Sequence, residues 1–156
     1  MNWDAIGAIG EIVGAGAVVV SLVYLAFQIR AQNKEARIAA MHDISAGYRD
    51  TLSTVSNREI AGLVDKAIDG YERLTRSESL QLIATVVRFF RVWEEAYLQY
   101  EAGRLDQRVW EPMSAQFNGY MSLTPFQHVW ELRKQYFDDE FQIFVESGER
   151  GEYIVQ

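Results

Sequence analysis

The chain has 156 residues, no cysteine and a formal net charge of −7, and its length fits one globular domain with an appendage. The lack of cysteine excludes disulfides, thiolate metal sites and cysteine nucleophiles. Because phosphate neutralisation needs clustered Lys and Arg, and no long basic block is present, we expect no nucleic acid partner.

The first predicted element is an apolar helix. Between Ala5 and Ile29 there are 25 residues with a single charge, Glu11, and about 20 predominantly apolar residues in a helix suffice to span a bilayer. A cleaved signal peptide fits poorly, because the residues before the apolar stretch are acidic and the stretch is too long. A buried core helix of a soluble protein remains the other interpretation. The pattern predicts a transmembrane helix over residues 1–30.

The flanks of this segment predict its orientation. All 15 basic residues lie at Arg30 or beyond, and Arg30, Lys34 and Arg37 follow the span directly. The positive-inside rule then places the C-terminal part in the cytoplasm and the N-terminus outside, in a bacterial inner membrane. Trp3, before the span, and these three basic residues are the expected membrane-interface anchors.

Small residues recur on one side of the predicted membrane helix. They are Gly7, Gly10, Gly14, Ala17 and Ser21, and Gly10 with Gly14 forms a G-x-x-x-G pair. Such surfaces let helix backbones approach closely, which favours association inside a bilayer. Alternatively, these glycines reflect only the ordinary composition of membrane helices, in which glycine is common. We take the pattern to predict an oligomer interface with a second copy of the chain.

Three polar residues of the span, Glu11, Ser21 and Gln28, need an explanation of their own. A carboxylate in a membrane helix is costly and is a functional hypothesis by default. Glu11 could be hydrated from the outer side, buried in protonated form at an oligomer interface, or part of a ring that lines a cation pore. Ser21 and Gln28 are the further buried polar or pore-lining candidates.

The remainder, residues 31–148, is predicted to be a helical domain, followed by a flexible tail at 149–156. The first helix should continue through residues 31–47, whereas Tyr48–Ser56 could be a turn or a short helix. Start and stop signals divide the rest: Asn57, the capping box Thr75 with Glu78, Gly103 at a helix end, Asp106, Thr124-Pro125 and Asp138. The fold class is therefore all-α, with a transmembrane helix extended into a cytoplasmic bundle of about four to five helices.

Candidate chemistry in this domain is sparse. The aromatic stripe Phe89, Trp93, Tyr97 and Tyr100 could line a ligand pocket, but helical spacing favours a helix–helix core. Glu94 and Glu95 are expected on the polar face of a helix that also carries Arg88 and Arg91. Neither His42 nor His128 lies in a metal-ligand pattern. We therefore expect no enzyme activity, no metal and no cofactor.

Two sets of residues carry a resemblance. The first is the stretch Trp3-Asp4-Ala5-Ile6-Gly7-Ala8-Ile9-Gly10-Glu11-Ile12-Val13-Gly14, continued by 22–26 and 28–30. The second is Gly103-Arg104-Leu105-Asp106 with Trp110, and Tyr136-Phe137-Asp138 with Phe141 and Val145. Over most of its length the chain resembles an uncharacterised family of short bacterial single-pass membrane proteins with a helical cytoplasmic domain. The resemblance implies this architecture and no activity.

Two functions from different classes follow from the sequence. The first is a membrane-anchored homo-oligomeric helical module that presents a cytosolic surface to a protein partner, with the lipid bilayer and its own copies as the other partners. The alternative is a small oligomeric ion-conducting pore, lined by the N-terminal helix with a ring of Glu11 side chains. A pore needs at least about four or five helices around one axis.

Overall fold

The computed structural model describes residues 3–148, and every regular element in that range is a helix. The α-helices are α1 (Trp3–Val55), α2 (Arg58–Asp69), α3 (Arg76–Glu101), α4 (Gln107–Tyr120), α5 (Thr124–Arg133) and α6 (Asp139–Ser147); the single 3₁₀ turns are Tyr71–Arg73 and Lys134–Tyr136. The predicted all-α class, with one long apolar N-terminal helix, is confirmed. The predicted tail at 149–156 lies outside the described residues.

The chain divides into two compact units, Met1–Ala39 and Ala40–Gln156. The first holds the N-terminal part of α1, and α1 is long and apolar enough to cross a membrane by length and composition. The second holds the remaining turns of α1 and the other helices. In that unit Ile44 and Thr51 of α1 are buried, and Arg88 of α3 pairs with Asp50. These contacts make the undecided segment Tyr48–Ser56 helical as far as Val55.

Side-chain caps begin most of the shorter helices where the sequence predicts them. The carboxamide of Asn57 accepts a hydrogen bond from the Glu59 amide at 2.8 Å. Asp106 caps α4, and Asp138 caps α6 through the amides of residues 140 and 141. Each cap satisfies an amide that has no intrahelical partner. At the other end of α3, Gly103 takes a φ of +66°, the left-handed conformation that favours glycine.

The start of α5 differs from the prediction by one residue. Thr124 is the first residue of the helix rather than its cap, and Leu123 occupies the cap position in an extended conformation without a side-chain cap bond. The Leu123 carbonyl accepts the amides of Phe126 and Gln127 at 3.0 and 3.2 Å. Pro125 tolerates this register, because a proline early in the first turn lacks only an amide hydrogen that has no intrahelical partner.

The core of the second unit is built around α3. Phe89, Phe90 and Trp93 are fully buried at 0% exposure, and aromatic rings from the later helices surround them: Phe117 and Tyr120 of α4, Phe126 and Trp130 of α5, and Phe141 of α6. A smaller cluster holds Trp110, against which Tyr97 and Tyr100 pack. The aromatic stripe is therefore a helix–helix core, as its spacing predicts, and its buried rings make a large apolar contribution to this fold.

The capping box of α3 makes the stability of the fold sensitive to pH in the acidic range. The Glu78 carboxylate accepts hydrogen bonds from Lys66 Nζ at 2.8 Å and from the Thr75 amide at 2.6 Å. The Lys66 bond is the larger cause, and together they lower the pKa of Glu78 from its usual 4.5 to about 2. Because the folded-state pKa is depressed, this stabilisation is fully present above pH 4.5 and is lost as pH falls through about 2.

The free energy of unfolding of the wild type should fall as the pH drops below the usual pKa of Glu78. We expect it to fall less in Glu78→Gln, because the variant has no carboxylate to protonate at this position. Denaturant titrations of wild type and variant across the acidic range would measure the difference. Glu95→Gln is the control, since Glu95 is exposed and forms no ion pair among the described residues. Parallel curves for wild type and Glu78→Gln would contradict the prediction.

Candidate functional site

The apolar part of α1 is uncovered in the first unit. Large apolar side chains between Ile9 and Ile29 keep about half or more of their surface exposed, from 49% at Leu25 to 73% at Ile12. They include the consecutive residues 18–20 and so lie on every side of the helix. A helix of a soluble domain buries its apolar stripe and exposes a polar one. This segment has no polar stripe, and its length and composition would allow it to cross a membrane.

The predicted small-residue face, Gly7, Gly10, Gly14, Ala17 and Ser21, lies on one side of this segment. At about 100° per residue its members fall within an arc of roughly 80°. A Cβ atom added at any of its three glycines would meet no atom within 4 Å. The face is therefore open in the single chain and shallow enough for another helix backbone to approach.

The three polar candidates of the span do not point in one direction. Ser21 and Gln28 are about 20° apart around the helix, whereas Glu11 lies about 80° from Ser21 and about 100° from Gln28. Along the axis Glu11 and Gln28 are ~26 Å apart. The Ser21 hydroxyl donates to the Ala17 carbonyl at 2.9 Å, so its hydrogen needs no acceptor on another helix. Glu11 flanks the small-residue face next to Gly7.

Basic side chains gather just beyond the apolar stretch. Arg30, Asn33, Lys34 and Arg37 line a shallow groove of about 220 Å³ on one side of α1, which we call the basic groove. The three basic residues are exposed and form no ion pair within the described part of the chain. These residues are three of the four predicted membrane-interface anchors. The side chain of Trp3, the fourth, lies outside the described residues.

An apolar cleft of about 220 Å³ opens on the second unit. It lies between α2, α3 and the corner that joins α4 to α5, and its lining includes the polar residues Asp65 and Thr85. Its apolar lining is Ala61, Val64, Ile68, Val86, Phe89, Tyr120, Leu123 and Phe126. This cleft was not predicted from the sequence, because its walls come from three separate segments. Its composition favours an apolar side chain over a charged ligand.

One acidic residue is not where the sequence predicts it. Glu95 is exposed on the polar face of α3, as predicted. Glu94 is only 8% exposed and does not lie on that face. Glu94 follows the buried Phe90 by four residues and therefore shares its side of α3. That i+4 relation is the signal that could have identified a buried carboxylate.

The buried Glu94 carboxylate links α3 to the start of α6. One oxygen accepts the Asp138 amide at 2.7 Å, and the other pairs with Arg91 at 2.6 Å. Arg91 in turn donates to the Tyr136 carbonyl and lies over the Phe137 ring at 4.2 Å. With both oxygens occupied by structural partners, Glu94 holds the 136–138 segment in place and is not arranged as a catalytic acid.

The remaining polar candidates show no reactive arrangement. His42 is exposed, and the His128 ring packs against Tyr71 with centroids 3.9 Å apart. Across the described residues no three His, Asp or Glu side chains converge as a metal site. No protein-family model matches this chain, and no curated protein and no solved structure is significantly similar to it.

Proposed function

We propose that the protein is a single-pass membrane protein whose α1 anchors and self-associates in the bilayer, while its helical domain presents an interaction surface in the cytoplasm. The observation that carries this proposal is the exposed apolar segment of α1. Burying its large side chains in lipid recovers roughly 1.5–3 kcal/mol for each fully covered one. The same segment in water would be an aggregation hazard.

The orientation rests on the basic groove. Arg30, Lys34 and Arg37 lie immediately beyond the apolar stretch, and the described residues before them carry only two charges, Asp4 and Glu11. Basic residues close to a span are retained on the cytoplasmic side. The N-terminus is then outside, and the second unit lies in the cytoplasm of a bacterial cell.

The role of the second unit is binding rather than catalysis. Its apolar cleft suits a protein side chain, and its buried acidic residue, Glu94, is used for structure. The open small-residue face of α1 supports association with further copies of the chain. Assembly would bring several copies of the cleft together and raise the apparent affinity for a multivalent partner.

The pore alternative has weaker support. A conducting ring needs Glu11, Ser21 and Gln28 to face one axis, but the first diverges from the other two by about 80–100° in a straight helix. An anchored module needs only that the small-residue face is free. We therefore favour the module.

Membrane integration and orientation can be tested directly, since the chain has no cysteine of its own. We expect full-length protein to resist alkaline carbonate extraction from bacterial membranes. With a membrane-impermeant maleimide on intact cells, Asn2→Cys should be labelled and Ser147→Cys should be labelled only after lysis. Protein recovered in the soluble fraction would refute the anchor. The reverse labelling pattern would refute the orientation.

The mass of the extracted particle, corrected for bound lipid, tests the assembly. A dimer would support the anchored module, because two helices cannot enclose a pore. A monomer would refute self-association. A discrete assembly of five or more chains would instead favour the pore, and cation flux through wild type and Glu11→Gln would then be compared.

A further inference from the structure

The basic groove has the features of an anion site. Its three cationic side chains lie within an arc of about 60°, and Asn33 adds an amide on the same side. None of the three is neutralised by an ion pair within the described residues. Glu35, the nearest acidic residue in sequence, lies on roughly the opposite side of the helix, at about 150° from the centre of the groove.

The charge of the groove contrasts with that of the chain. The protein carries a net charge of −7. A cluster of unpaired cations on one helix face therefore differs in sign from the charge of the chain as a whole. The groove also begins one residue after the apolar stretch ends. For a helix that crosses a bilayer, this is the depth of the lipid phosphate groups.

The groove lies away from the small-residue face. At about 100° per residue, its centre is on the order of 170° from the centre of that face. When two copies of α1 associate through their small residues, each groove therefore points outward toward surrounding lipid. The small-residue face can therefore contact a second helix while the basic groove contacts lipid.

We propose that the basic groove binds the phosphate of an anionic phospholipid from the cytoplasmic leaflet. Arg30 and Arg37 donate paired, charge-assisted hydrogen bonds to phosphate oxygens, and Lys34 supplies a further positive charge. Asn33 donates to the phosphate or to the neighbouring headgroup. This inference rests on the proposed membrane function, because the groove meets lipid phosphates only if α1 crosses the bilayer.

The test is lipid binding to delipidated full-length protein, measured by native mass spectrometry. Phosphatidylglycerol and phosphatidylcholine with identical acyl chains are added separately, and bound lipids are counted per subunit. We expect wild type to prefer phosphatidylglycerol. Neutralising Arg30, Lys34 and Arg37 to glutamine should weaken that preference by about fivefold for each residue.

The matched control removes the same charge elsewhere. Arg49, Arg58 and Arg76 are exposed and form no ion pair among the described residues, so their triple glutamine variant should keep the preference. Both variants are first checked for unchanged orientation by the cysteine labelling described above. Equal loss in the two triple variants would overturn the inference, since it would reflect net charge alone.

Three further results separate the possible failures. Integrated wild type with no lipid preference would refute the groove and leave the anchor intact, whereas protein that fails to integrate would refute both. Inorganic phosphate is the second probe. If it abolishes the preference at concentrations comparable to the lipid, the groove binds free phosphate and the assignment to phospholipid is wrong.

Discussion

Replacing Gly14 with leucine is expected to convert the associated protein largely to monomers. Gly14 lies near the middle of the small-residue face, where a Cβ meets no atom of its own chain within 4 Å. A branched side chain there separates two helix backbones and removes the close contacts that stabilise association in lipid. We expect the dissociation constant to rise by on the order of a hundredfold, which corresponds to ~2.7 kcal/mol. Förster transfer between labelled chains in vesicles, at varied protein-to-lipid ratio, would measure it.

Gly16→Leu provides the matched control. Gly16 is equally open, but it lies about 180° from Gly7 around the helix and so faces lipid in the proposed assembly. The same side chain is added at nearly the same depth, and association should be unchanged. Gly10→Leu should resemble Gly14→Leu. If the Gly14 and Gly16 variants weaken association equally, the interface is not the small-residue face.

Replacing Glu94 with alanine is expected to destabilise the helical domain by about 2–3 kcal/mol, because a charge-assisted hydrogen bond is lost and the Asp138 amide is left without its partner. The Arg91 guanidinium is half exposed, so water compensates for its part of the loss. The effect is a sizeable fraction of the 5–15 kcal/mol by which domains are ordinarily stable. Chemical denaturation of the full chain in detergent, followed by tryptophan fluorescence, would measure it.

Its neighbour offers the control for this prediction. Glu95 is the next residue along the chain and is exposed. Glu95→Ala removes the same charge there, and the free energy of unfolding should change by no more than about 0.5 kcal/mol. Glu94→Gln should be intermediate, since the carboxamide oxygen can still accept the Asp138 amide. If Glu94→Ala and Glu95→Ala were equally mild, the network to the 136–138 segment would not stabilise the fold.

Local features of the fold were predictable from the sequence because their causes are local. The caps at Asn57, Asp106 and Asp138 use a side chain and an amide within three residues of each other, so the sequence alone contains both partners. The apolar stretch of α1 is recognisable for the same reason, since its length and composition are properties of one segment. The small-residue face follows from helical periodicity within that segment.

The tertiary structure decided the features whose partners lie far apart in sequence. The buried Glu94 carboxylate is satisfied by the Asp138 amide, 44 residues away in sequence. The apolar cleft exists because α2, α3 and the α4–α5 corner meet around it. The segment Tyr48–Ser56, which the sequence leaves undecided, is helical as far as Val55, where Thr51 is buried and Asp50 pairs with Arg88 of α3. The sequence by itself determined the elements and the membrane candidate, whereas only long-range packing determined which polar groups are buried and where the bundle opens a cleft.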